Sequence, residues 1–289
     1  MKKIFIFAVI IAQTATAQKL SVNAGYQQEN FHWSIAGNSS GQDPNIYSEL
    51  KWKKLSGPVT ALDLDWRIWK WLSIRGQGSW MFTSSGDVTD MDYQADNRQQ
   101  PVYQGYFSCD KGNIYDWALM FGGDILHRGI FTFSPYIGYS VNAQDLYIVD
   151  RTGVYSNLNT RYAARWKGAV VRLDGSWSLK HWVLDAGVDY HQVVYRAEAD
   201  WNLITSFSHP VSFRHRANGY GVGANAGISY LLSDRWSLGI GGGWYHWQTG
   251  AGTDELYLAA GGTEYTQMNG AFRDGWQLGL HFKYSKPGL

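Results

Sequence analysis

Cysteine is all but missing from this chain of 289 residues, where Cys109 stands alone. One thiol excludes an internal disulfide framework and any multi-cysteine metal site. An excess of charge of one sign is missing too: 25 Lys and Arg against 24 Asp and Glu leave a net +1. That balance argues against a nucleic-acid binder or a broadly polybasic lipid binder. Beyond the first residues no apolar run approaches the roughly 20 residues of a spanning helix. Nor is there a serine–histidine nucleophile pair, a metal-ligand cluster or a phosphate loop, so no metal and no cofactor is expected.

What the chain has instead is alternation. Tyr220, Val222, Ala224, Ala226, Ile228 and Tyr230 share one strand face, while Gly221, Gly223, Asn225, Gly227 and Ser229 share the other. After Ser233, Asp234 and Arg235 the pattern resumes with Trp236, Leu238, Ile240 and Trp244 against Ser237, Gly239, Gly241 and Gly243. A soluble sandwich would put Lys and Glu on its wet face. Small neutral residues point to a crowded, hydrated interior. Aromatics are 16% of the chain, with 15 Trp and 19 Tyr, Gly numbers 33, and mean hydropathy is only −0.32. Aromatic girdles around a polar lumen produce that combination.

Lys2 and Lys3, the apolar run Ile4 to Ala12 and the small residues Ala15, Thr16 and Ala17 read as a secretory signal over residues 1–17. The remainder, 18–289, then forms a single domain. An exported chain with a continuous apolar face and no spanning helix is predicted to be all-β, a ten-stranded antiparallel transmembrane barrel in the bacterial outer membrane, because lipid tolerates no unpaired backbone. The strands are expected near 19–35, 46–67, 71–86, 114–126, 130–150, 161–178, 182–197, 211–231, 235–250 and 271–284. Tight turns at 68–70, 127–129, 179–181 and 232–234 alternate with long polar connections at 36–45, 87–113, 151–160, 198–210 and 251–270. Short connections on one rim and long ones on the other place the long loops outside the cell. Asp63, Asp65, Arg75, Arg172, Asp174, Asp185, Asp189, His281 and Lys283 fall on inward positions, where they must be paired or hydrated.

Two long loops carry carboxylates. One opens with Asp87, Asp90, Asp92 and Tyr93, the other with Glu198, Asp200 and Asn202, and a barrel can bring both to its mouth. Close carboxylates repel, so one can retain a proton or hold an attacking water. From spacing alone, turn formation or solvation explains such loops as well as catalysis does.

At these residues the chain resembles the omptins, ten-stranded outer-membrane endopeptidases that face an Asp-x-Asp motif with an Asp-x-His pair. Asp90, Met91, Asp92 and Tyr93 look like the first motif; Ser48 to Lys53 look like the family's second strand and Tyr220 to Gly227 like its eighth. Counting from Tyr190 sets Asp200 on the family's aspartate and Asn202 on its histidine. The resemblance implies cleavage beside basic residues, with Glu49 and Glu198 at the acidic positions that hold the basic side chain. Asn202 can position a water but cannot take its proton. His209 or His215 could replace the missing base. The basic patch by which omptins hold lipopolysaccharide would fall at Val141, Asn142 and Ala143, which lack charge. Peptide or protein substrate and outer-membrane lipid are the implied partners, nucleic acid is not, and a monomer is expected. A catalytically silent omptin-like barrel that binds or adheres is the alternative, and an unrelated porin or lipid-modifying barrel is a third reading.

Overall fold

The computed structural model describes residues 19–286, and the expected secretory segment lies outside the described residues. Fourteen strands follow in order: β1 (Lys19–Ile35), β2 (Ser48–Arg67), β3 (Ser73–Phe82), β4 (Ser85–Ala95), β5 (Gln99–Ser108), β6 (Gly112–Gly122), β7 (Leu126–Arg128), β8 (Phe131–Val149), β9 (Asn159–Leu179), β10 (Trp182–Asp200), β11 (Phe213–Leu231), β12 (Trp236–Thr249), β13 (Gly252–Tyr257) and β14 (Thr263–Ser285). Ten of them close a ring, β1-β2-β3-β6-β8-β9-β10-β11-β12-β14, and β1 seals it by pairing both β2 and β14. Every pairing is antiparallel. Closure leaves no edge in the bilayer, as lipid requires.

Two rings of aromatic side chains mark the membrane. Near the short turns, Trp236 stacks on Phe282 at 4.8 Å, Trp182 meets Tyr230 at 4.9 Å and Phe131 meets Trp177 at 5.0 Å. Further along the strands a second ring holds Trp80 with Tyr115, Tyr26 with Trp276, Trp117 with Tyr139, and Tyr190 with Tyr220. Between the rings the outward positions are exposed Leu62, Leu119, Ile137, Leu173, Val188, Ile240 and Leu280. Amphipathic rings settle at the headgroups and aliphatic chains in the hydrocarbon, so the spacing of the rings sets the height of the barrel in the bilayer.

At the second ring the strands exchange faces. Below it β10 turns Leu184, Val188 and Tyr190 outward; above it the inward positions Val193, Tyr195, Ala197 and Ala199 are the buried apolar ones. In β1 and β9 the same exchange runs from Val22 and Tyr26 to Phe31 and Trp33, and from Leu173 and Val171 to Trp166, Ala164 and Tyr162. The solvent explains it. Lipid surrounds the lower half, while water surrounds the upper half, which folds as an ordinary globule with its oil inside. The 21 residues of β9 span about 70 Å along the strand, far more than the apolar band of about 25 Å requires.

The lumen is crossed by side chains. Arg75 on β3 reaches Asp174 on β9 at 2.5 Å while holding Asp63 at 2.6 Å. Lys283 on β14 reaches Asp185 on β10 at 2.6 Å, and Arg172 donates to Asn225 at 2.6 Å. Higher up, Glu29 accepts from Arg273 at 2.8 Å, Tyr245 at 2.5 Å and Gln144 at 2.7 Å. Of the expected inward charges, Asp63, Arg75, Arg172, Asp174, Asp185, Asp189 and Lys283 stand in ion pairs, while Asp65 accepts from the Tyr136 hydroxyl at 2.8 Å and His281 Nε2 lies 2.8 Å from Ser229 Oγ.

Several spans differ from expectation: the strand expected at 71–86 ends at Phe82, and the one expected at 114–126 ends at Gly122, with β7 lying on the expected turn 127–129. The connection expected at 87–113 is mostly a hairpin, β4 and β5, turned at Asn97 and Arg98 with positive φ. Its strands lack an apolar period because they stand in water above the membrane. The last strand begins at Thr263 rather than 271 for the same reason, and β13 adds a short partner inside the expected loop 251–270.

Candidate functional site

Pairing parity fixes where each candidate points. On β4, Val88 belongs to the buried core, so Asp90 and Asp92 share its inward face; opposite them on β2 lie Leu50 and Ser48. Asp90 is half-buried and has no cationic partner among the described residues. Burial first, and Asp92 second, push its carboxyl up to about 7, against the opposing hydrogen bond from the Met91 amide. Burial also raises Asp92, although the Ser48 hydroxyl resists the shift. Two carboxyls sharing a niche with no cation therefore hold a proton near neutrality.

Asp200 lies at the end of β10, directly opposite Arg161, on the parity of the outward Arg196 and Glu198. Its partner is His209, whose Nδ1 stands 2.6 Å from Asp200 Oδ1. His209 lines an open groove of about 400 Å³ with Pro210, Arg214, Tyr257 and Gly261. Asn202 does other work. Its Oδ1 accepts from the Asn159 amide at 3.0 Å and from Thr160 Oγ1 at 3.3 Å, and its Nδ2 donates to the Asn157 carbonyl at 2.8 Å, so it ties the loop after β8 to the loop after β10. His215 is buried in the core, 3.0 Å from Asp254 and 2.8 Å from Tyr162 Oη, and does not approach Asp200.

The two glutamates also face outward. Glu49, paired with outward Met91, is only 2% exposed because Lys51 at 2.7 Å and Arg98 at 2.7 Å cover it. Burial alone would raise its carboxyl; the hydrogen bonds and charge of Arg98 and Lys51 outweigh that and hold it low. Glu198 accepts from Arg214 at 2.9 Å. Both carboxylates already carry cations of the chain itself.

No hydrogen bond or ion pair among the described residues joins the Asp90 and Asp92 niche to Asp200, Asn202 or His209. Between them the mouth is filled. Trp33 packs on Tyr162 at 5.8 Å and on His215 at 4.8 Å, Trp52 packs on Tyr162 at 5.4 Å, and Trp166 packs on Tyr195 at 4.5 Å and Trp247 at 5.9 Å. Sequence reading missed two features of this upper half. Arg196 lies directly across from Arg165 on one neighbour and Arg216 on the other, a row visible only once strand register is known. The second is the edge of β5, which meets β8 at a single pair, Ser108 with Val149.

No curated protein matches the chain. Among solved structures, the outer membrane protease OmpT from Escherichia coli superposes with a TM-score of 0.74, covering 94% of this chain and 97% of OmpT at 13% identity, which establishes a shared ten-stranded barrel fold. The translocator domain of the autotransporter NalP from Neisseria meningitidis gives a TM-score of 0.38 at 11% identity, covering 96% of this chain and 94% of its own. OprG from Pseudomonas aeruginosa gives 0.37 at 9% identity, with 93% and 97% covered. A family model is matched along nearly the whole barrel, over residues 21–279, and the chain belongs to that family, Pom, the Protochlamydia outer membrane protein.

Proposed function

We propose that this protein is an outer-membrane surface barrel that binds an extracellular partner rather than hydrolysing it. The observation that carries the reading is the division of the omptin-like groups: Asp90 and Asp92 face inward, Asp200 lies on outward parity with the loop residue His209 against it, and an aromatic core fills the space between. Water activation needs a base within hydrogen-bond reach of a water that also touches the scissile carbonyl. The Asp200–His209 pair supplies an imidazole oriented by a carboxylate, the one feature that favours a peptidase with a relocated base. The test uses a fluorogenic peptide with two adjacent arginines and the barrel in outer-membrane lipid. The parent is expected to release no more product than a variant carrying Asp90→Ala and His209→Ala. A parent rate that each single substitution abolishes would instead install the peptidase.

Outer-leaflet lipid is the second partner in this reading. Arg196 and Arg216 are exposed, directly opposed, and without an ion-pair partner among the described residues. Like charges directly opposite across a strand pair destabilise it, so the row is eased by an anion lying over it, and guanidinium pairs suit phosphate oxygens. The row stands above the Tyr190–Tyr220 pair of the upper girdle.

A further inference from the structure

The rim of the barrel has an open seam between β5 and β8. The amide of Cys109 donates to the Gly86 carbonyl at 2.9 Å, and that of Tyr93 donates to the Tyr47 carbonyl at 2.8 Å. In an antiparallel ladder bonded pairs alternate, so both bonds independently put Tyr103, Gly105 and Phe107 in bonded register with β4. Val102, Gln104 and Tyr106 then aim their N–H and C=O groups away from β4. Ser108 aims the same way and finds Val149; the other three have no backbone or side-chain partner among the described residues. Val102 is 55% exposed and Tyr106 62% exposed.

Natural edges are usually blunted by charge, bulges or proline. Here β5 reads QQPVYQGYFS, with no charged residue, and Pro101 guards only its tip. Beside the edge lies a cleft of about 300 Å³ between Tyr103, Phe107, Thr152, Val154 and Tyr155. The wall of the cleft is aromatic, and its field is negative: burial, then Asp90, Tyr155 and Asp92 push the Tyr103 phenol up to about 12. Asp90 and Asp92 have no cation of their own, whereas Asp87 is taken by Arg151, and Asp150 accepts from the Thr152 and Tyr155 amides.

We infer that β5 is a docking edge for an extended polypeptide segment of another protein, which adds as a strand beside Val102, Gln104 and Tyr106 and places a basic side chain in the cleft over Tyr103 and Tyr155, within the field of Asp90 and Asp92. Backbone pairing supplies affinity in this mode, and the side chain that enters the cleft supplies selection. The aromatic wall suits an ammonium or guanidinium, which gains from the ring faces and from the uncompensated carboxyls together. A second copy of the chain is the poorer occupant. Two barrels in one membrane are related by an axis along its normal, which makes strands tilted at about 40° cross instead of running antiparallel.

This inference rests on the binding reading above, deepening it to a class of partner, and its test separates the two. The full-length protein in lipid vesicles is titrated with an acetylated nine-residue peptide of alternating threonine and valine with a central lysine, labelled for anisotropy. Three peptide controls carry a central glutamate, N-methyl groups on the residues of bonding parity, or a scrambled order. The lysine peptide is expected to bind uncleaved, the N-methylated one about tenfold or more weaker because several main-chain bonds are lost, and the glutamate one weaker by a margin that Asp90→Asn with Asp92→Asn removes. Gln104→Pro, which deletes the central edge donor, and the milder Tyr106→Lys should each weaken binding while heat-modifiable gel mobility reports an intact barrel. Equal binding of the N-methylated and parent peptides, binding indifferent to both edge substitutions in folded protein, or no binding of the lysine peptide overturns the proposal and leaves the non-catalytic reading standing. Cleavage of the bound peptide overturns that reading and leaves the edge.

Discussion

Replacing Asp90 by asparagine isolates the electrostatic cost of the rim niche. The change keeps shape and keeps an oxygen for the Met91 amide, while it deletes the charge that burial and Asp92 disfavour. A carboxyl carried from its ordinary 3.8 to about 7 costs about 4 kcal/mol once ionised, at about 1.4 kcal/mol per pH unit. Partial exposure screens part of this, so about 1–3 kcal/mol is the expected gain for Asp90→Asn at pH 8. The sign follows from proton counting. Between about pH 4 and pH 7 the folded protein keeps a proton that the unfolded chain has released, so the parent loses stability as pH rises through that window and is level above it. Below about pH 4 both states are protonated and the advantage of the variant disappears. Denaturant unfolding in vesicles, followed by tryptophan fluorescence at pH 3.5, 5.5 and 8, measures the gap. An equal gap at all three pH values, or a variant less stable at pH 8, would refute the account of the niche.

Asn202→His should not create peptidase activity; it should release the bonds to Asn159 and Thr160, seen as faster hydrogen exchange in that loop. Trp166→Ala should destabilise the upper half by about 3–5 kcal/mol, detected as proteolysis confined to segments above the second aromatic ring while the membrane-embedded half resists. Arg196→Glu with Arg216→Glu should lower co-purifying phosphate-bearing lipid, whereas Arg128→Glu, at the opposite end of the barrel, should not; lipid phosphorus per barrel decides.

The transmembrane half was legible because its physics is local. Period two against lipid writes itself into consecutive residues, so Tyr220 to Trp244 disclosed strand, face and turn together. The upper half buries its apolar side chains on the opposite face, and in β4, β5 and the start of β14 polar residues interrupt the period, so these read as loop. Site geometry was harder. Asp90 and Asp92 read as the opening of a rim loop, whereas they share one face of β4; the parity of Asp200, and hence its separation from them, depends on the unbroken register of β10 with β9 and β11 from Trp182 upward. The 2.6 Å contact of His209 with Asp200 depends on how the loop 201–212 folds back, which no spacing rule encodes.

The exchange of faces at the second aromatic ring acts as a depth gauge with a built-in lock. Sliding β9 by one residue against its neighbours would turn Leu173 and Val171 toward the polar lumen and, in the same motion, turn Trp166 and Tyr162 out into water. Each half thus vetoes the slip that would ruin the other. The same arrangement forbids the barrel from riding higher or lower in the bilayer, since lifting it bares an oily belt and sinking it drags Arg196 and Arg216 into hydrocarbon. Whatever meets the loops at the top therefore meets them at a fixed stand-off from the lipid, on a pedestal that cannot telescope.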